Sequence, residues 1–266
     1  MNFRLDGKVA LVFGAGSCGP GWGNGKAAAV AYARAGAAVM AVDLEFGRAS
    51  ETQSIIENER GACQALQADV TRTDDITEVV AQTLSAHGRI DILHNNVGIG
   101  DMGNPIELTE YGWNHVMATN LTSIFLICKQ VLPIMIEQQG GVITNISSVA
   151  SLSAPSADYV AYCTTKAGLN HLTRTLAVGY ANKGIRVNAI LPGLMNTPMI
   201  YNVKGHMELF GSEETMIRAR DAKSPTGKMG DAWDVAHAAV FLASDEAKYI
   251  NGVILPVDGG LSCKTG

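Results

Sequence analysis

The chain has 266 residues, a formal net charge of -5, and 17% charged against 47% hydrophobic residues, the profile of an ordinary globular protein able to bury one large core. It lacks the basic excess of a nucleic-acid binder. Five scattered cysteines (Cys18, Cys63, Cys128, Cys163, Cys263) outline neither a disulfide framework nor a CxxC knuckle, the six histidines have no ligand spacing, and no metal site is expected.

In chain order, short β-rich runs alternate with longer amphipathic stretches. VALVF (9–13) precedes helix-like GKAAAVAYARAG (25–36), AVMAVD (38–43) precedes ASETQSIIENERG (49–61), and CQALQADV (63–70) precedes DDITEVVAQTLSAHG (74–88). DILHNNVG (91–98), a helical region near 105–138, GVITNISS (141–148), a long helix near 157–182 and IRVNAILPG (185–193) follow, with a seventh strand expected at GVILPVDGG. The nearly continuous apolar strands suit a parallel sheet covered on both faces, so the expected fold is a single doubly wound α/β domain over 1–266. VALVF is too short to cross a membrane and adjoins a glycine turn instead of a cleavage site, so a cytoplasmic protein without a membrane partner is expected.

The first strand runs into GAGSCGPGWGNG, six glycines in twelve residues, and then directly into an alanine-rich helix. Glycines there let backbone approach a dinucleotide pyrophosphate, while the helix N-terminus offers N–H groups and a favourable dipole. Asp43 ends the second strand, where a carboxylate accepts hydrogen bonds from the adenosine ribose hydroxyls and repels a 2′-phosphate. Leu44 and Glu45 follow instead of an arginine, which favours NAD over NADP, with Arg48 the opposing sign. Asp43 as a surface turn residue, and the loop as a plain turn, are the competing readings.

YCTTK sets Tyr162 and Lys166 four residues apart on one helix face. A cation near a phenol lowers its pKa toward the working range and makes it a usable general acid or base. The same spacing also occurs on solvated faces with no function.

Across these motifs the chain resembles the classical short-chain dehydrogenase/reductases, from LDGKVALVFGAG to GVILPVDGG. The resemblance includes NNVG (95–98), Asn120 in NLTSIF, NISS (145–148), RVNAILPG (186–193) and TPM (197–199). It implies a Rossmann fold with a seven-stranded parallel sheet, hydride transfer between a substrate carbon and a nicotinamide, and four catalytic residues. Ser148 would bind the substrate oxygen, Tyr162 would exchange the alcohol proton, Lys166 would tune Tyr162 and bind the nicotinamide ribose, and Asn120 would support a proton relay. For the cofactor it implies Gly14, Gly23, Asn24 and Gly25 at the phosphates and Asp43 with Leu44 at the ribose. Asp69 with Val70 would stand beside the adenine and Asn96 with Gly98 under the adenosine half, with Pro192, Gly193 and Thr197 near the nicotinamide. Asn95 reads equally as a structural link between strands. A homotetramer built on the helices near 105–138 and 157–182 and on the last strand is also implied.

Two departures stand out. The inserted segment SCGPGW lengthens the glycine loop, with Gly16, Gly19, Gly21 and Pro20 shaping a bulge that Trp22 closes against protein. Ser148 precedes Tyr162 by one residue more than the commoner spacing, the extra residue being assigned to LSAPSAD; Ser147 should face the other way. His94 reads as a satisfied core histidine and Cys18 as a small space-filler, with a reactive thiol near the cofactor as the competing reading of Cys18.

A substrate-covering segment is expected at about 194–229, with Val149, Tyr159, Leu194, Met199 and Met207 in the pocket. No arginine or lysine stands at an obvious position for gripping an anion, so the expected substrate is a neutral, largely apolar secondary alcohol, cyclic ones included, oxidised to its ketone. The alternatives are an NAD(P)H-dependent reductase of a 3-oxo ester or quinone-like carbonyl, and a non-catalytic NAD-binding regulatory protein, which would not need Ser148, Tyr162 and Lys166 together.

Overall fold

The computed structural model describes residues 3–100, 103–153, 156–202 and 210–264. Seven strands, β1 (Val9–Phe13), β2 (Ala38–Asp43), β3 (Cys63–Gln67), β4 (Ile92–Asn95), β5 (Gly141–Ile146), β6 (Ile185–Pro192) and β7 (Ile254–Val257), form one sheet in the order β3-β2-β1-β4-β5-β6-β7. Every pairing is parallel. After β3 the chain crosses back to lay β4 against the other edge of β1, so the strand order reverses there. A crevice opens at such a point beyond the carboxyl ends of the strands.

On one face lie α1 (Asn24–Arg34), α2 (Phe46–Asn58) and the last helix, α9 (Ala232–Ala243). The run Ala27–Ala28–Ala29–Val30 is fully buried, and its small side chains bring α1 close to Val235, Ala236 and Ala239 of α9. On the other face α3 (Thr73–His87), α5 (Ser123–Glu137) and α6 (Val160–Tyr180) pack Ile76, Val79, Ile127, Val131 and Leu169 on Leu11, Leu93, Ile143 and Val187. Leu172 and Leu176, equally readable from sequence as subunit-contact positions, also pack on this core.

Several boundaries differ from the sequence expectation for local reasons. β3 stops at Gln67 because Asp69 turns the chain, its Oδ1 accepting from Thr71 N (2.9 Å) and Oγ1 (2.6 Å). The 105–138 region begins its helix only at α4 (Glu110–Met117), capped by Thr109, whose Oγ1 accepts from Gly112 N at 3.0 Å. α4 passes into α5 through one wide π-helical turn, Ala118–Thr122, a form that concentrates at functional sites. The helix Glu110–Glu137 is long and apolar enough to cross a membrane by length and composition, but half of its most apolar window is buried in the fold.

The segment after β6 carries α7 (Met199–Asn202) and α8 (Glu213–Lys223). Met207 lies outside the described residues. Buried Asn95 spends its Nδ2 on Asn145 Oδ1 (2.9 Å), and Asn145 donates to Thr173 (2.9 Å), so this chain ties β4, β5 and α6 together. His94 Nδ1 pairs with Tyr32 Oη at 3.0 Å while Nε2 has no partner among the described residues, and burial drives its pKa down to about 3. It is therefore a neutral core imidazole, though only half satisfied.

Candidate active site

A cavity of about 890 Å³ runs along the carboxyl ends of the strands, from the β1–α1 loop and β2 to α6 and α8. At one end is the glycine loop. Gly14 adopts φ +75°, and its N–H and that of Ala15 both donate to Val42 O at 2.8 and 2.9 Å, which ties the turn to β2. Asn96 Nδ2 donates to Gly14 O at 3.0 Å from the β4 side. A Cβ added at Gly25 would lie 2.5 Å from Asn96 Nδ2 and nearer still to Gly14 O, so this helix start can approach the first strand only as glycine.

The lengthened part of the loop turns away from Gly14. Trp22 packs on Trp233 of α9 (centroids 4.8 Å), with the Lys26 ammonium 5.2 Å above its ring, and so closes the bulge against protein. Cys18 is exposed and borders the cavity, which corrects its reading as a space-filler. Its carbonyl accepts from Asn202 Nδ2 of α7 at 3.2 Å, and Gly19 lies beside Pro198.

Asp43 lines the cavity at the end of β2, where its Oδ2 accepts from Gly16 N (3.0 Å) and its Oδ1 from Glu45 N (3.2 Å). Arg48 borders the same space but is tied to Glu45 at 2.9 Å. Leu44, Asp69, Val70, Asn24 and Gly23 also line this end, and the buried Asn24 Oδ1 has no partner among the described residues. A glycine cradle, a helix N-terminus, a carboxylate at the end of β2 and an amide oxygen without a partner among the described residues together fit a dinucleotide. Gly98 departs from the expected adenosine side: an added Cβ would stand 3.1 Å from Lys166 Nζ and 3.7 Å from Asn120 Oδ1, so it belongs to the far end.

At that far end Ser148, extended at φ -167°, follows β5 and caps a short turn by accepting from Ala150 N at 3.2 Å, and it lines the cavity together with Tyr162. Ser147 faces the other way and donates to Lys166 O at 3.1 Å. Lys166 is buried, its Nζ donating to Ile146 O (2.8 Å) and lying 5.7 Å from the Tyr162 ring centroid. Burial pulls its pKa down to about 8. Tyr162 opens to the cavity but is enclosed by protein, and burial raises its pKa above 10, with the Ser148 side chain the opposing influence. For the protein alone this differs from the lowered phenol expected from sequence: burial is the largest influence on Tyr162, and Lys166 spends its hydrogen bond on the Ile146 carbonyl.

Asn120 occupies the π-helical turn and clamps the β4–α4 loop, with Oδ1 accepting from Ile99 N and Nδ2 donating to Ile99 O, both at 2.8 Å. Pro192, Gly193 and Thr197 border the cavity after β6, and Val149, Tyr159, Leu194 and Met199 line its wider part. Sequence reasoning missed His115 and Thr119, which α4 and the π turn bring in, and Arg220 and Lys223 of α8. The last two set cations on the cavity wall, where the sequence offered no obvious position for gripping an anion; their trace in the sequence was their spacing, one turn apart, inside the expected covering segment. Among the described residues no cluster of metal-ligating side chains forms.

This geometry, a dinucleotide cradle joined to a serine-tyrosine-lysine constellation on a parallel sheet, defines a dehydrogenase of the doubly wound class. A family model described as enoyl-(acyl carrier protein) reductase, of the short-chain alcohol dehydrogenase type, matches residues 21–262. The chain belongs to the classical short-chain dehydrogenase/reductases, oxidoreductases that use a nicotinamide cofactor on small molecules. It is 38% identical to 2,5-dichloro-2,5-cyclohexadiene-1,4-diol dehydrogenase LinX of Sphingobium indicum, covering 98% of this chain and 99% of that protein. It is 37% identical to D-threitol dehydrogenase of Mycolicibacterium smegmatis, covering 99% and 96%. Among solved structures, a Burkholderia xenovorans protein described as a short-chain dehydrogenase/reductase is 42% identical, with a TM-score of 0.92 over 99% of both chains.

Proposed function

We propose that the protein is an NAD-dependent dehydrogenase that oxidises a largely apolar secondary alcohol, ring alcohols included, to the ketone. The observation that carries this reading is the shared cavity, with Asp43 and the Gly14–Gly25 turn at one end and Ser148 and Tyr162 beside Lys166 at the other. When bound, the nicotinamide supplies the hydride acceptor. Ser148 holds the alcohol oxygen, Tyr162 Oη takes its proton, and Lys166 steadies the phenolate and the ribose. Asn120 keeps the loop at Ile99 and the start of α6 in register, its Nδ2 lying 3.3 Å from Thr165 Oγ1. The described parts of the segment after β6, 194–202 and 210–229, cover the alcohol and exclude water.

NAD is preferred because Asp43 offers a carboxylate at the ribose, while the nearby guanidinium of Arg48 is committed to Glu45. The two dehydrogenases named above, one of a ring diol and one of threitol, support an alcohol substrate. The working unit is a cytoplasmic homotetramer; the exposed Tyr111, Phe125 and Val178 on α4, α5 and α6 support subunit contacts on those helices. The test follows reduced-nicotinamide absorbance with NAD and, separately, NADP, over cyclic, aromatic and aliphatic secondary alcohols. Signal with NAD that disappears in Tyr162→Phe while NAD still binds is expected; failure of either dinucleotide to bind would overturn the assignment.

A further inference from the structure

The cavity wall at the substrate end carries a cation that the proposed chemistry does not use. Resting on the dehydrogenase reading, we infer that Arg220 of α8 is a substrate-binding residue that receives a carboxylate borne by the alcohol at a distance from its reacting carbon. Arg220 lines the cavity together with Tyr159, Phe210 and Lys223. It stands at the substrate end: its Nε bonds Met229, the next residue Gly230 donates to Leu194 O at 3.0 Å, and Leu194 lines the cavity with Tyr159, one helical turn before Tyr162.

The guanidinium is partly buried, and its described hydrogen bond runs from Nε to the sulfur of Met229 at 3.2 Å, a weak acceptor. Neighbouring Asp221 spends Oδ1 on Met229 N (2.7 Å), and the ion pair described on α8 joins Arg218 to Glu214. Arg186 shows what a structural arginine in this protein looks like. Also partly buried, it donates to the carbonyls of Leu242 (2.8 Å), Ser244 (3.2 Å) and Ile250 (3.2 Å). Arg220 has no such set among the described residues, and burial works against its charge, with Tyr159, Tyr201 and Asp221 only partly offsetting it.

An arginine cannot shed its proton to escape that cost. An arriving anion relieves it, and the planar fork matches a carboxylate in a two-point hydrogen bond. Lys223, three residues on, borders the same space but is solvent-exposed, so it supplements the charge at the mouth. One partly buried fork suits a monoanionic carboxylate better than a phosphate dianion. This replaces the neutral substrate expected from sequence with an apolar alcohol that has one charged end.

The experiment uses the full-length enzyme with NAD and a series of secondary hydroxy acids in which the carboxylate is separated from the carbinol by a lengthening methylene chain, each paired with its methyl ester. At the best length the acid is expected to exceed its ester in kcat/KM by about tenfold or more. Arg220→Met should bring that ratio to about one, through KM, and Arg220→Lys should restore part of it. A wild-type ratio near or below one at every length overturns the inference while leaving the dehydrogenase reading intact, and needs no variant to fold. As a second readout, calorimetry measures acid and ester binding to NAD-loaded Tyr162→Phe, with and without Arg220→Met. Acid binding that depends on Arg220 without turnover of any alcohol in the wild type would sink the dehydrogenase reading and keep the anion site; equal binding of acid and ester would sink the anion site.

Discussion

Replacing Gly25 by alanine tests whether the dinucleotide cradle depends on backbone contact. Helix propensity alone favours alanine by about 1 kcal/mol. The added Cβ, however, would stand 2.5 Å from Asn96 Nδ2 and closer to Gly14 O, against about 3.4 Å for ordinary contact, so something must move by about 0.9 Å or more. Gly14 cannot yield readily, being held to Val42 O at 2.8 Å. Nor can α1 back away, since Ala27, Ala28, Ala29 and Val30 behind it are fully buried. Overpacking of this kind costs about 3 kcal/mol at the upper end, leaving a net loss of about 2 kcal/mol after the propensity gain. For a chain of this size that is a fall of about 4–8 °C in melting temperature. A displaced loop also forfeits charge-assisted contacts to phosphate worth about 1.5–3 kcal/mol, or roughly 10–100-fold in NAD affinity. Calorimetric melting and NAD titration measure both, and Gly47→Ala on α2, where an added Cβ meets nothing within 4 Å, should melt no lower than wild type. A Gly25→Ala protein that melts with the wild type and binds NAD as tightly would refute the reasoning.

Lys166→Met should stabilise the cofactor-free protein at neutral pH, because a buried cation held by one carbonyl is replaced by an apolar chain, while alcohol oxidation is lost. The sign follows from a folded-state pKa of about 8 against 10.5: the unfolded chain binds more protons between these values, so wild-type stability gains a contribution as pH rises through that window. Melting curves of both proteins should show this rise in the wild type and not in the variant. Tyr162→Phe should lower oxidation by about 10²–10⁴-fold in steady-state assays, with NAD binding retained. Because burial raises Tyr162, oxidation should climb with pH through the alkaline range, and a flat profile would contradict proton acceptance by this phenol. Trp22→Ala should cost about 2 kcal/mol by removing the stack on Trp233, visible in denaturant melts, and should weaken NAD titrations by loosening the loop.

The strands were legible because β1 and β2 are buried on both faces and written in continuous apolar residues, with burial running through Val9–Phe13. The cradle was legible for the opposite reason, an excess of glycine where only close approach explains it. Ser148 could be preferred to Ser147 because the alternation continues past β5, turning the Ser147 hydroxyl onto Lys166 O and leaving Ser148 on the cavity wall with Tyr162. What could not be read depends on where helices far along the chain come to rest. Arg220 looks like one more charge in IRARDAK until α8 is laid over the end of β6, and Gly98 looks like an adenosine-side glycine until Lys166 is seen beside it. The ionisation of Tyr162 was misjudged for a related reason: spacing gives the lysine's proximity but not the depth at which both groups lie.

The hydrogen bond from Asn202 to the Cys18 carbonyl joins the inserted glycine segment to the helix after β6. The two ends of the cavity are therefore not separate recesses but share a wall, and neither can shift without straining a contact worth about 1 kcal/mol. Any redesign of the loop for a different dinucleotide will accordingly also be felt as an altered Michaelis constant for the alcohol.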